Sequence, residues 1–124
     1  MEVKMMMNAY GMLYQIENDL RSFIKSNMKR NYGVGWYICA PKKMKYPPYR
    51  KNFHSLNLHE LISMVSSYEC LRSAFEKSKI PQLQAIIPIR NKIAHSHKIT
   101  PSENEHLYFI YNVVLQVTNR NNLF

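Results

Sequence analysis

A small, all-α, up-and-down bundle of four to five helices is the fold class this sequence predicts. Three observations carry that expectation. Apolar residues recur at spacings of three and four through most of the chain, two stretches open with helix-capping patterns, and no segment alternates apolar and polar residues as a half-buried strand does. A length of 124 residues suits one domain covering 1–124, and 46% apolar residues is enough for a core and too many for a disordered chain. No run is long and apolar enough for a membrane span, and Met1 to Met7 lacks the features of a signal peptide, so a cytoplasmic location with no membrane role is expected. Cys39 and Cys70 are then expected to be reduced.

The first helix is expected from about Val3 to Met28, with Met6, Tyr10, Leu13, Ile16, Leu20, Phe23, Ile24 and Met28 on its inner stripe. Met5, Met6 and Met7 suggest an adaptable apolar patch, suited to a partner surface. Residues 31–56, with Gly33, Gly35, Pro41, Pro47 and Pro48, read as irregular, and Trp36 within them as a core residue. Asn57 followed by Glu60 opens a second helix with Leu58, Leu61, Ile62 and Val65 inward. Tyr68 to Lys77 also has a helical pattern, either continuing that helix or separate from it. A third helix starts near Pro81, with Leu83, Ile86, Ile87 and Ala94 on one face and Pro88 kinking or restarting it. Thr100-Pro101-Ser102-Glu103 opens the last helix, whose stripe is Leu107, Ile110, Tyr111, Val114 and Thr118.

Seventeen basic against eight acidic residues gives a net charge of +9, which points either to mere solubility or to a polyanion, with nucleic acid the usual one. Lys42, Lys43, Lys45, Arg50 and Lys51 interleave with Tyr46, Tyr49 and Phe53. That mixture suits single-stranded RNA, through phosphate contacts and stacked bases, and equally a solvated loop whose aromatics pack on the bundle. Lys92 is a further candidate RNA contact. His54, His59 and His106 show no evident partners and read as surface residues.

The chemistry concentrates in Pro88-Ile89-Arg90-Asn91-Lys92-Ile93-Ala94-His95-Ser96-His97. Asn91 and His95 are four apart and share a helix face. Arg90 and His95 are five apart, about 140° of rotation and about 7.5 Å of rise on an ideal helix. One helix therefore does not easily aim both at one atom, whereas two copies packed about a twofold axis could. A cation on the apolar stripe needs a partner or a phosphate, so Arg90 reads either as half of a polar pair tying two helices together or as a phosphate contact. Glu17 has two readings of its own, an ion pair with Arg21 one turn on, or a carboxylate that positions Arg90. His95 and His97 form a His-x-His pair, but without a Cys or Asp cluster at ligand spacing no metal and no cofactor is expected, and His97 reads as a mobile residue at the mouth of the site.

At these residues the sequence resembles a known family. Arg-Asn-Lys-Ile-Ala-His, late in a helical chain and followed by a capped last helix, is similar to the signature of HEPN domains. Arg90, Asn91 and His95 take the motif's arginine, polar and histidine places. Tyr14-Gln15-Ile16-Glu17-Asn18-Asp19-Leu20-Arg21 resembles the first-helix pattern of the abortive-infection-like branch, and Tyr32-Gly33-Val34-Gly35-Trp36-Tyr37 its Gly-Trp segment. The resemblance implies a homodimer joined through the motif helices and a metal-independent endoribonuclease with Arg90, Asn91 and His95 as catalytic residues. It also implies a toxin or phage-defence setting, with an antitoxin or another defence protein as partner. The alternative within the family is a non-catalytic module that binds RNA or a partner protein; a weaker one is a dimerisation adaptor with no nucleic-acid role.

Overall fold

The computed structural model describes residues 2–39 and 52–122, and within them the protein is helical with no strand. The elements are α1 (Glu2–Tyr32), α2 (Trp36–Cys39), a 3-10 turn (Phe53–Ser55), α3 (Leu58–Ser67), α4 (Glu69–Arg72), α5 (Lys79–Gln84), α6 (Ile87–Ala94) and α7 (Pro101–Asn122).

Helix α1 is the axis of the molecule. Its Leu13, Ile16, Leu20, Phe23, Ile24 and Met28 are buried against α7, α3 and α4, each contributing about 1.5–3 kcal/mol. It runs four residues beyond the expected end and stops at Gly33, whose φ of +86° is open to glycine and strained for other residues. Ala9 belongs to the buried stripe, whereas Tyr10, expected there, is 63% exposed. Trp36 is buried as expected, edge-on to Phe53 with ring centroids 5.0 Å apart, so α2 and the 3-10 turn close one end of the core together.

Both capping boxes form. The Asn57 side chain accepts from the Glu60 N–H at 3.0 Å and the Glu60 carboxylate accepts from the Asn57 N–H at 3.1 Å. Thr100 and Glu103 repeat the exchange at 3.1 and 2.8 Å, starting α7. The segment after α3 is shorter than its pattern suggested. Tyr68 is extended (φ −111°, ψ 124°) and separates α3 from a one-turn α4, after which turns carry the chain to α5. That third helix begins at Lys79, with Pro81 in its first turn, and Pro88 restarts the chain as the second residue of α6. The restart changes the helical phase. Leu83 and Ile86 point inward as expected, but Ile89 and Ile93 follow them in place of Ile87, which is half-buried, and Ala94, which is exposed. His106 also departs from its surface reading, because its Nε2 lies 2.9 Å from the Gln82 carbonyl and ties α7 to α5.

These pairings set the direction of the helices. Glu2 faces Lys98, and one surface hollow is lined by Asn8, Met12, Asn104, Tyr108 and Tyr111, so α1 and α7 run the same way. Arg90 faces Glu17 and Ser96 lies near Met6, so α6 runs against α1. The motif helix is thereby laid along the N-terminal half of α1.

Candidate active site: the motif helix and the facing half of α1

Ile89 and Ile93 anchor α6 in the core, and this leaves Arg90 on its flank toward α1. Arg90 is one-third exposed, with its Nε 3.9 Å from Glu17 Oε1. Of the two readings of Glu17, the structure favours the pairing with Arg90. Arg21 is engaged elsewhere, donating to Asn18 Oδ1 at 3.1 Å and to the Leu56 carbonyl at 2.9 Å. The Glu17–Arg90 contact is a loose, single-point ion pair that leaves the guanidinium's outer N–H groups able to meet a bidentate anion. Around them Tyr10, Leu13, Tyr14, Ile93 and Ala94 complete a cleft of about 160 Å³, room for a phosphate group.

Asn91 and His95 are exposed one turn apart, and neither lines the Arg90 cleft. His95 is the C-cap of α6 (φ −97°, ψ 13°), with its backbone N–H on the Asn91 carbonyl at 3.1 Å. In a single chain, then, Arg90 opens toward α1 while His95 stands at the end of the helix. His97 is also exposed, with its ring centroid 6.2 Å from that of His95.

The turn between the two histidines is built from both sides. Ser96 adopts φ +59°, the only left-handed non-glycine residue among those described. Its N–H reaches the Ile93 carbonyl at 3.0 Å and the His97 N–H reaches the Lys92 carbonyl at 2.7 Å, closing the helix in a Schellman arrangement. Glycine is the usual occupant there, so Ser96→Gly is expected to raise unfolding stability by about 0.5–1 kcal/mol, read by urea denaturation.

On the other side Lys92, expected as an RNA contact, has its ammonium 2.8 Å from Glu103 Oε2. That carboxylate also caps α7 through Thr100, so one acidic group clamps both ends of the loop 95–100, and Lys92 acts here as a strut. The hydrogen bond from Lys92, followed by that from the Thr100 N–H, holds the Glu103 carboxyl below its ordinary value of 4.5. Its contribution is therefore complete above the ordinary carboxylate range and is lost as pH falls through the depressed value. Glu103→Ala is expected to cost about 1 kcal/mol at pH 7, with the difference from wild type shrinking in acid below about pH 4, measured by thermal unfolding across pH.

One feature of the site escaped the sequence reading. Val3, Met7, Tyr10 and Tyr14, at spacings of four, three and four, are 72, 69, 63 and 63% exposed and form a second apolar stripe on α1. Val3, Met7 and Tyr10 of this stripe, with Glu2, Met6, Ile93 and Ser96, line a broad hollow of about 740 Å³ that shares Tyr10 and Ile93 with the Arg90 cleft, where Tyr14 lies. The spacing is visible in the sequence, but Met6 and Tyr10 also fit the inner stripe and mask it. Of the methionine patch, Met5 and Met6 pack on the core and Met7 faces outward. Lys42, Lys43, Lys45, Tyr46, Tyr49, Arg50 and Lys51 lie outside the described residues.

Among the described residues no group of three or more His, Cys, Asp or Glu could hold a metal ion, and no helix is long and apolar enough to cross a membrane. A family model described as Swt1-like HEPN matches residues 11–114. No curated protein and no solved structure matches the chain. The matched span contains α6, Glu17 and the core of α1, leaving Val3, Met7 and Tyr10 outside it. With five-sixths of the chain matched and an all-helical fold among the described residues, the protein belongs to the HEPN family of RNA-related, nuclease-associated helical modules.

Proposed function

We propose that the protein is a metal-independent endoribonuclease whose active site is shared between two copies of the chain. One observation carries the reading. Arg90 is held at the mouth of a phosphate-sized cleft by a single loose contact to Glu17, while His95 stands outside that cleft at the end of the same helix. A second copy, docked on the exposed stripe Val3, Met7, Tyr10 and Tyr14 beside α6, brings the His95 of one chain to the Arg90 of the other.

RNA supplies its own nucleophile. Histidine, which titrates in the neutral range as a free side chain, removes the proton of the ribose 2′-hydroxyl or protonates the departing oxygen. The 2′-oxygen bonds to phosphorus, the bond to the 5′-oxygen breaks, and the products are a 2′,3′-cyclic phosphate and a 5′-hydroxyl. Arg90 takes two phosphate oxygens and stabilises the charge that builds on them. Asn91, on the exposed face with His95, donates to the phosphate or orients the imidazole, and Glu17 keeps Arg90 turned toward the cleft. The net charge of +9 draws the polyanion in, with residues 42–51 as the basic and aromatic track for a single strand. The family resemblance supports a cytoplasmic toxin or defence setting in which an antitoxin or another defence protein restrains the activity.

Labelled single-stranded RNA incubated with the protein and EDTA tests the reading. Cleavage that survives the chelator, and is abolished by a single 2′-deoxy substitution at the cut site, supports it. Binding without cleavage favours the second reading, a non-catalytic RNA- or protein-binding module. The Glu17–Arg90 pair gives that reading its footing, since it can serve as a helix-to-helix tie.

A further inference from the structure

We infer that His97 is a second catalytic histidine, forming with His95 an acid–base pair around one phosphate. The inference rests on the ribonuclease reading above and goes beyond it, since one imidazole per chain suffices there.

The case begins with the backbone. Two residues apart on a continuing helix, His95 and His97 would be separated by about 200° and face opposite ways. The chain does not continue the helix. Ser96, the residue at the Schellman closure, turns it into the left-handed region at φ +59°. The turn sets the two rings 6.2 Å apart, centroid to centroid, and tilted by 44°. That is too wide for stacked contact, and with both rings exposed a single phosphate seated against their edges is within reach of each imidazole.

The arrangement is fastened on every side. The His97 N–H is bonded to the Lys92 carbonyl at 2.7 Å. Lys98 pairs with Glu2 at 3.6 Å, Ile99 is buried at 1% exposure, and Glu103 joins Lys92 to the start of α7. His97 is thereby tied to the end of α6 through its backbone N–H. Its backbone is fixed while its side chain remains open to a ligand.

The pair supplies both proton transfers. One imidazole accepts the 2′-hydroxyl proton as the 2′-oxygen bonds to phosphorus. The other, as imidazolium, gives its proton to the 5′-oxygen as the bond from phosphorus to that oxygen breaks. Exchange with water then restores both.

Two oligonucleotides test this: an ordinary RNA, and one whose 5′-bridging oxygen at the cut site is sulfur, a leaving group that needs no proton. On ordinary RNA, His95→Ala and His97→Ala are each expected to lower cleavage by about 10²–10⁴-fold. On the sulfur substrate one of the two variants returns to within about tenfold of wild type and the other does not, which identifies acid and base. Both side chains are exposed, and matched melting curves show that the variants fold. A His97→Ala enzyme within a few-fold of wild type on RNA, or rescue of both variants or of neither, overturns the pair while leaving the ribonuclease reading intact. A wild-type protein that cleaves neither substrate overturns both.

Discussion

Arg90→Ala is expected to lower RNA cleavage by about 10²–10³-fold while the protein still folds. The loss follows from its place. A guanidinium at the mouth of the cleft meets the phosphate as charge develops, and removing one such preorganised donor group costs about 3–4 kcal/mol of transition-state stabilisation. Stability should hardly change, because Arg90 is one-third exposed and its ion pair with Glu17 spans 3.9 Å. Such pairs are worth about 0–1 kcal/mol. Arg90→Lys should restore little, since an ammonium cannot grip two oxygens at once. Single-turnover cleavage beside thermal unfolding checks both halves. A large loss of stability with unchanged cleavage per folded molecule would return Arg90 to the role of a helix-to-helix tie.

Met7→Asp or Tyr10→Asp is expected to convert a dimer into an inactive, folded monomer. Both side chains are more than 60% exposed in the single chain, so neither contributes much to its core. In a dimer that buries the stripe each would bring an unpaired carboxylate out of water, at a cost of several kcal/mol. At 1.4 kcal/mol per tenfold, the dimer should weaken by more than about a hundredfold. Sedimentation read with cleavage over a range of protein concentrations checks this. Variants that remain dimeric and active would place the interface elsewhere.

Much of the fold could be read in the sequence, because the strongest signals are local. Asn57 with Glu60 and Thr100 with Glu103 announce two helix starts through hydrogen bonds three residues long, and both form. Arg90 lies within the short α6, and His95 caps its end. What escaped depended on phase or on distant partners. A stripe counted from Pro81 runs through Pro88 as if the helix were continuous, but the chain restarts at Ile87 and Ile93 turns inward in place of Ala94. Tyr68 carries a helical pattern and is extended, which cuts α4 to one turn. Arg21 and Arg90 competed equally for Glu17 in the sequence, and the Leu56 carbonyl, 35 residues away, helps decide it. His106 found the backbone of Gln82, which no side-chain pattern reveals. On α1 two apolar stripes share one helix, and only the position of α6 and the core separates the inner stripe from the exposed one.

The most direct test of a shared active site is to mix two inactive variants. Arg90→Ala and His95→Ala, each pure and inactive, are combined one to one and allowed to exchange subunits. Random pairing makes about half of the dimers mixed, and each mixed dimer then holds one site with both Arg90 and His95 intact. Cleavage should rise from background to about a quarter of the wild-type rate. A mixture that stays as inactive as its components, with subunit exchange verified, would mean that Arg90 and His95 act within one chain and would contradict the account.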